Sequence, residues 1–307
     1  MIFKVHILGT SSAIPTHTRL QTAQVVNHND RYYLIDCGEG TQLQLLHRGI
    51  KLTRLDAIFI SHLHGDHILG LPGLLTSLSI YQRTAPLKLF APKDIKPILD
   101  TFLKHSHSYL TYPLEFYPTE DFEVGDVIFE AKQLKVSLLP LKHRVFCRGF
   151  RFIEANKRPK FDFYKAKGLG IPNNYFSLLK LGNNITLEDG RTVEAQEVLI
   201  PPDPPKSYAY CSDTKYNEEL VPYIQGTTLL YHESTFTQDL KSRAHATGHS
   251  TAFEAASIAK MAEVKHLLLG HFSARYKDLS VLKQEASEVF TNVYIAREGE
   301  VYDLKNY

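Results

Sequence analysis

Seven residues constrain this chain more than any other stretch: Ser61-His62-Leu63-His64-Gly65-Asp66-His67. Three imidazoles and a carboxylate crowded together are hard to bury by packing alone, because a buried polar group needs a partner. A metal ion supplies one to each. The run Leu55-Asp56-Ala57-Ile58-Phe59-Ile60 just upstream is apolar, short and rich in β-formers, and predicts a buried strand. Ile68, Leu69, Leu71, Leu74 and Leu75 then begin a helical pattern. The cluster therefore sits at the exit of a strand, where a sheet holds ligands still. His62 and His64 alternate along extended backbone and can point the same way. Asp66 and His67 lie past Gly65 and can turn to a second ion. The competing reading is a solvated histidine-rich loop.

The chain has 307 residues, enough to bury a core as one large domain or two small ones. With 43% apolar and 22% charged residues it has the composition of a globular protein, and no apolar run approaches a membrane span. Met1 to Leu8 lacks a basic segment and a long apolar stretch, so it reads as a first strand rather than a signal peptide. Cys37, Cys147 and Cys211 are odd in number and far apart, which argues for a reducing compartment and buried thiols. A net charge of +2 is too small to imply a polyanionic partner by itself.

Strand patterns over Val5 to Leu8, Thr22 to Val26, Tyr32 to Asp36, Leu87 to Ala91 and Leu114 to Tyr117 interleave with helical ones, of which 94–105 is the clearest amphipath, with Ile95, Ile98, Leu99, Phe102 and Leu103 on one face. The second half repeats the theme. Strands are predicted at Val127 to Ala131, Val136 to Leu141, Arg148 to Ile153, Tyr208 to Cys211, Thr228 to Tyr231, Lys265 to Leu269 and Asn292 to Ile295. Helices are predicted at Ser250 to Ala262 and Leu279 to Val289. Layered sheets with helices outside fit that order. Between them, Ala155 to Lys206 changes character. Lys157, Arg158, Lys160, Lys165, Lys167 and Lys180 are interleaved with Phe161, Phe163, Tyr164, Tyr175 and Phe176, and the stretch closes on Pro201-Pro202-Asp203-Pro204-Pro205. Such a segment suits a phosphate backbone and stacked bases. Equally, it suits a solvated insertion with a local hairpin.

Two metals need more ligands than the first cluster holds. His143, Asp213 and His271 each follow a predicted strand, as the cluster does, and a layered α/β sheet brings such ends together. Zinc suits this imidazole and carboxylate set, and manganese or iron are also compatible. Glu233 and His249 make a candidate proton-delivery pair, an imidazole held by a carboxylate. The bland alternative is a structural Glu-His hydrogen bond near a helix start. Thr251 and Glu254 have capping-box spacing, and free N–H groups at that helix start are expected to meet a phosphate oxygen.

These motifs resemble the metallo-β-lactamase fold and, more closely, the ribonuclease Z family of transfer RNA 3′ endonucleases. The likeness runs through Leu8-Gly9-Thr10, Ile35 to Gln42, Ser61 to His67, Leu187 to Arg191, Tyr210 to Thr214, His232-Glu233-Ser234-Thr235 and His249-Ser250-Thr251. It implies an α/β four-layer αββα sandwich over residues 1–307, a single domain into which an RNA-binding arm is inserted at 155–206. It implies two Zn2+ per subunit, one taking His62, His64 and His143, the other Asp66, His67 and His271, with Asp213 bridging. Asp66 would also orient or deprotonate the nucleophile, and His249 with Glu233 would protonate the leaving oxygen. The activity implied is zinc-dependent removal of 3′ trailers from precursor transfer RNA, leaving a 3′-hydroxyl and a 5′-phosphate, by a cytoplasmic homodimer with no membrane association. The alternative is another hydrolase on this scaffold, a small-molecule phosphodiesterase or a thioester hydrolase. The chain departs from the family at Ser234, at the arm segment Gly168 to Asn174 and at the loop Pro15-Thr16-His17-Thr18-Arg19-Leu20.

Overall fold

In the computed structural model, which describes residues 2–307, the strand before the histidine run is Leu55–Phe59. Its two faces enter different cores. Ala57 and Phe59 join one rich in aromatic rings, and Leu55 and Ile58 join one dominated by leucine. A strand covered on both faces belongs inside a layered structure.

Among the described residues the layers are two seven-stranded mixed sheets with helices on their outer faces. The first sheet runs, in spatial order, Val301–Asp303, Phe3–Gly9, Ala23–His28, Arg31–Ile35, Leu55–Phe59, Leu87–Ala91, Leu114–Pro118. From Arg31–Ile35 onward its strands are parallel. Parallel neighbours need crossovers, and the helices Thr41–His47, Leu71–Ile80 and Ile95–His105 supply them. Leu45, Leu74, Leu78 and Leu99 pack these helices onto Leu34, Ile58 and Leu89. The second sheet runs Val293–Ile295, His266–Gly270, Leu229–Glu233, Ser207–Cys211, Arg148–Glu154, Leu134–Pro140, Val127–Ala131. Its helices Ala252–Met261 and Ser280–Ser287 bury Ile258 and Leu282 among alanines at 252, 255, 256, 259 and 286, small residues that let them lie close to the sheet. Between the sheets, Phe59 stacks on Phe90 at 5.0 Å and meets Phe150 and Phe152 at 5.4 Å each.

Three details differ from expectation. The first strand is Phe3–Gly9, and Met1, where its sequence reading began, lies outside the described residues. Ile98 and Phe102 of the helix Ile95–His105 are exposed, because only Ile95 and Leu99 point squarely at the sheet. The strand Val301–Asp303 and the helix Lys241–Thr247 carry too few apolar residues for periodicity to find them.

The chain divides into two compact units, one running to Ile153 and resuming at Lys206–Tyr307, the other Glu154–Pro205. The smaller unit has its own core of Ala166, Ile171, Phe176, Leu179, Val193 and Val198. Its helix Phe163–Gly168 is capped by Asp162, and a hairpin pairs Ile185–Thr186 with Thr192–Val193 around Gly190, whose φ of +84° a glycine adopts freely. Lys165, Lys167, Lys180 and Tyr164 are exposed on it. The ammonium groups of Lys167 and Lys180 lie 4.7 and 5.3 Å from the rings of Phe163 and Phe161.

Candidate metal centre

All the predicted ligands converge in the larger unit. His62, His64, His143 and Asp213 form one group, and Asp66, His67 and His271 a second, with the candidate ligand atoms of each group within 4.8 Å of one another. Asp213 stands between the groups. Its Oδ2 is 3.6 Å from His62 Nε2 and 3.8 Å from His143 Nε2, while its Oδ1 is 3.2 Å from His67 Nε2 and 3.0 Å from His271 Nε2. Asp66 Oδ2 is 3.5 Å from the same two atoms of His67 and His271.

Strand ends position these groups. Asp213 follows Ser207–Cys211, His271 follows His266–Gly270 and His143 follows Leu134–Pro140. Asp36 follows Arg31–Ile35, and it, Asp213 and His271 adopt φ of +55°, +46° and +56°. Left-handed backbone is uncommon outside glycine and asparagine-like residues, and its concentration here marks local strain held in place by the sheets. Each sharp turn at a strand end aims one side chain across the gap between the sheets.

The hydrogen bonds fix how the imidazoles present themselves. His67 Nδ1 donates to Asp36 Oδ2 at 2.7 Å, and His143 Nδ1 to the Gly248 carbonyl at 2.7 Å. Ser61 Oγ donates to Asp36 at 2.9 Å and so accepts from His62 Nδ1 at 3.0 Å. Thr235 Oγ1 donates to Glu233 Oε2 at 2.7 Å and so accepts from His271 Nδ1 at 2.9 Å. In its neutral form, the one a metal binds, each of these four rings turns an unprotonated Nε2 inward, a tautomer set by outer partners as in metal sites generally. The buried Nε2 atoms of His67 and His271 meet no hydrogen-bond partner of acceptable geometry. His64 offers Nδ1 instead, 3.0 and 3.2 Å from the Nε2 atoms of His62 and His143. Inward lone pairs at this spacing fit metal ions, since tetrahedral zinc holds its ligand atoms about 3.3 Å apart.

Charge points the same way. Asp36, Asp66, Asp213 and Glu233 are all buried. Burial, with some help from neighbouring imidazoles, holds His62 below the ordinary histidine range, and burial lowers His64 and His143 as well. The neutral form is the one that ligates. Burial also disfavours charge on His67, yet Asp213, Asp36 and Asp66 drive its pKa up. That is the mark of a buried negative excess which a cation neutralises.

Beside this cluster, His249 Nδ1 lies 2.9 Å from Glu233 Oε1. Burial lowers the His249 pKa, but Glu233, together with Asp213 and Asp66, outweighs it and pushes the value up to about 9. Glu233 also accepts the Thr214 amide at 2.7 Å, next to Asp213. The helix after His249 has its capping box between Thr251 and Glu254, as predicted. Its first amides are taken, however: Ala252 by the Phe236 carbonyl, Phe253 by Glu285 and Glu254 by Thr251. No free N–H is left there for a phosphate, and that expectation is corrected.

A cavity of about 500 Å³ opens onto the cluster. Arg144, Arg243, Arg275 and Phe236 line it with His64, Asp66, Asp213, His249 and His271. Sequence reasoning missed the three arginines, which have no diagnostic spacing, and the outer partners Asp36 and Thr235. Asp36 carried a usable signal, an acid just past an apolar strand. His245 bonds Glu254 at 2.7 Å.

Comparison with known proteins places the chain in a family. A ribonuclease Z of Bacteroides fragilis is 41% identical over 302 residues, covering 97% of each chain, and one of Phocaeicola vulgatus is 42% identical, covering 96% of each. The chain belongs to the ribonuclease Z family. Human tRNase Z, short form, superimposes with a TM-score of 0.67 at 26% identity over 98% of this chain and 99% of its own. The metallo-β-lactamase fold protein YhfI of Bacillus subtilis shares the fold, with a TM-score of 0.69 at 21% identity over 99% and 100% of the two chains. A family model described as anti-Pycsar protein Apyc1 matches residues 3–156. That half includes the histidine run and His143 and stops short of Asp213, Glu233, His249 and His271, which the ribonuclease Z relatives span. The fold is thus the metallo-β-lactamase sandwich that the sequence motifs imply.

Proposed function

We propose that this ribonuclease Z family member is a metal-dependent endoribonuclease that removes 3′ trailers from precursor transfer RNA, leaving a 3′-hydroxyl on the transfer RNA and a 5′-phosphate on the trailer. The observation that carries the reading is Asp213, whose two oxygens each face one imidazole group while His249 and Glu233 stand alongside. His62, His64, His143 and Asp213 would hold one Zn2+, and Asp66, His67, His271 and Asp213 a second. Paired zinc ions lower the pKa of water and stabilise charge on the attacking and leaving oxygens of a phosphodiester.

The protein's own residues do the rest. Asp66, at the cavity wall, orients the attacking water and accepts its proton. His249 keeps Nδ1 on Glu233, so its Nε2 proton is the one given to the leaving 3′ oxygen. Arg144, Arg243 and Arg275 meet phosphates beside the scissile bond with charge-assisted hydrogen bonds. The basic, aromatic unit of residues 154–205 binds the body of the RNA, a surface that a small-molecule phosphodiesterase or thioester hydrolase does not need.

The protein works as a cytoplasmic homodimer in this reading. Leu43, Leu46 and Leu69 are 53%, 46% and 62% exposed and supply apolar surface for a second copy. The cysteines 37, 147 and 211 are free and buried, which suits a reducing compartment, and no helix among the described residues is long and apolar enough to cross a membrane. Incubating the zinc-loaded protein with a 3′-extended transfer RNA precursor and mapping both new ends tests the activity. Light scattering tests the dimer.

A further inference from the structure

We infer that Glu298 is a positioning residue for the RNA substrate, acting by stapling the neck of the loop from Thr10 to Leu20 that walls the cavity; this rests on the reading of that cavity as the cleavage site. Glu298 is the second residue of a tight turn. The Glu300 amide donates to the Arg297 carbonyl at 3.1 Å, and Gly299, at φ +88°, takes the third position, where left-handed backbone suits glycine. The turn is moored to the first strand of the sheet, with Gly299 N donating to Ile7 O at 2.9 Å and Ile7 N to Glu300 O at 3.1 Å. The Glu298 carboxylate therefore projects from a fixed base.

Its Oε1 accepts three hydrogen bonds from the two ends of one loop. Leu20 N donates at 2.5 Å, Thr10 N at 3.3 Å and Thr10 Oγ1 at 3.4 Å. The amides of Thr10 and Ser11 also reach the Leu20 carbonyl, at 3.1 and 2.9 Å, and close the neck. Gly9 lets the strands approach this closely, since a Cβ there would lie 1.6 Å from the Gln21 carbonyl oxygen. Beyond the neck the loop is thinly held. Ile14, Pro15, His17 and Thr18 are exposed, and the internal bonds are Thr16 N to Arg19 O at 2.8 Å and Ser11 Oγ to Ile14 O at 2.7 Å, with Thr16 Oγ1 accepting nearby amides. Ser12 and Ala13 line the cavity, where Ser12 N donates to Phe272 O at 3.0 Å and Gln21 Nε2 to the Ala13 carbonyl at 3.1 Å, and Arg19 reaches the carbonyl of Ser273, another lining residue, at 3.3 Å. Those single bonds tether points along the loop, while its two ends are brought together at the neck, which is held by a residue nearly 280 positions away in sequence. Nothing local in the sequence marks the role, since Thr10 and Leu20 lie far from Glu298 along the chain.

Amide hydrogen exchange and steady-state kinetics on the zinc-loaded, full-length protein test this together. Glu298→Ala should speed exchange at the Thr10 and Leu20 amides. It should raise KM for a 3′-extended transfer RNA precursor by about tenfold, the scale of losing hydrogen bonds to a charged group, with little change in kcat. Hydrolysis of bis(p-nitrophenyl) phosphate, too small to need the loop, should change far less. Glu298→Gln keeps the accepting oxygen and should restore both protection and KM. If Glu298→Ala does not fold, Glu298→Asp, one methylene short, takes its place with the same expectations. Unchanged exchange across 10–20, an unchanged KM for the precursor, or equal losses on both substrates would each overturn the positioning role. Wild-type protein that leaves the precursor intact overturns the reading of the cavity instead, and the exchange comparison then still decides whether Glu298 holds the loop.

Discussion

His249 Nδ1 lies 2.9 Å from Glu233 Oε1, and the same carboxylate oxygen accepts the Thr214 amide at 2.7 Å. One buried acid therefore orients the proposed proton donor and braces the residue after Asp213. This double duty separates two substitutions that a simple Glu-His pair would make equivalent.

His249→Ala should keep metal content, because the seven proposed ligands remain, and should slow cleavage of precursor RNA by roughly 10²–10⁴-fold, the usual cost of losing a general acid. The defect should shrink on a nitrophenyl phosphodiester, whose leaving group needs no proton. Glu233→Ala should lose metal as well as rate, since it frees the backbone beside Asp213. Single-turnover rates and metal analysis of both proteins check this, and an equal His249→Ala defect on both substrates would remove the proton-donor role.

The pH profile follows from the same pair. As the proposed donor, His249 acts only while protonated, and against the effect of burial Glu233, Asp213 and Asp66 raise its pKa to about 9. Its contribution is present at neutral pH and is lost as the pH rises through that value. Wild-type cleavage of RNA should show a falling alkaline limb that His249→Ala lacks. Rate–pH curves for the two proteins make the comparison.

Asp36 accepts from Ser61 Oγ, His67 Nδ1 and Tyr210 OH, the last at 2.6 Å, and so ties the first sheet to the second behind the ligands. Asp36→Asn should weaken metal binding by roughly 10–100-fold, as loss of outer-sphere partners does elsewhere. Competition with a chromogenic chelator measures it. Wild-type affinity would mean that the His67 tautomer is set without Asp36.

Excising residues 155–205 should separate RNA cleavage from hydrolysis. Ile153 pairs with Ser207 in an antiparallel register, so the flanking strands lie side by side and a short Gly-Ser turn closes them as a hairpin. A small phosphodiester should still be hydrolysed. Precursor RNA cleavage should fall by orders of magnitude, with a shallower salt dependence. Equal loss of both activities would tie this segment to the metal centre.

The parts legible in sequence were those with a strong local signal. Alternating or continuous apolar runs located Leu55–Phe59 and Ser207–Cys211, and an acid or histidine just past such a run singled out His143, Asp213 and His271, which the structure gathers around the histidine run. Periodicity failed where an element is short or polar, as in Val301–Asp303 and Lys241–Thr247, the second of which carries Arg243 and Thr247 to the cavity. It also could not show that the amides at the start of Ala252–Met261 are already spent, because their partners Phe236 and Glu285 come from other segments. Long-range hydrogen bonding, as at Asp36 and Glu298, leaves no periodic trace.

The most direct measurement is the fate of a 3′-extended transfer RNA precursor incubated with zinc-loaded protein, with Asp213→Ala as the comparison. The expected result is a single cut at the junction with the trailer, leaving a 3′-hydroxyl and a 5′-phosphate. Chelation should abolish it and added zinc restore it, and Asp213→Ala should be inactive with lowered metal content. An uncut precursor in the presence of bound metal, or an Asp213→Ala protein that keeps two metals and near-normal cleavage, would contradict the two-metal endoribonuclease reading.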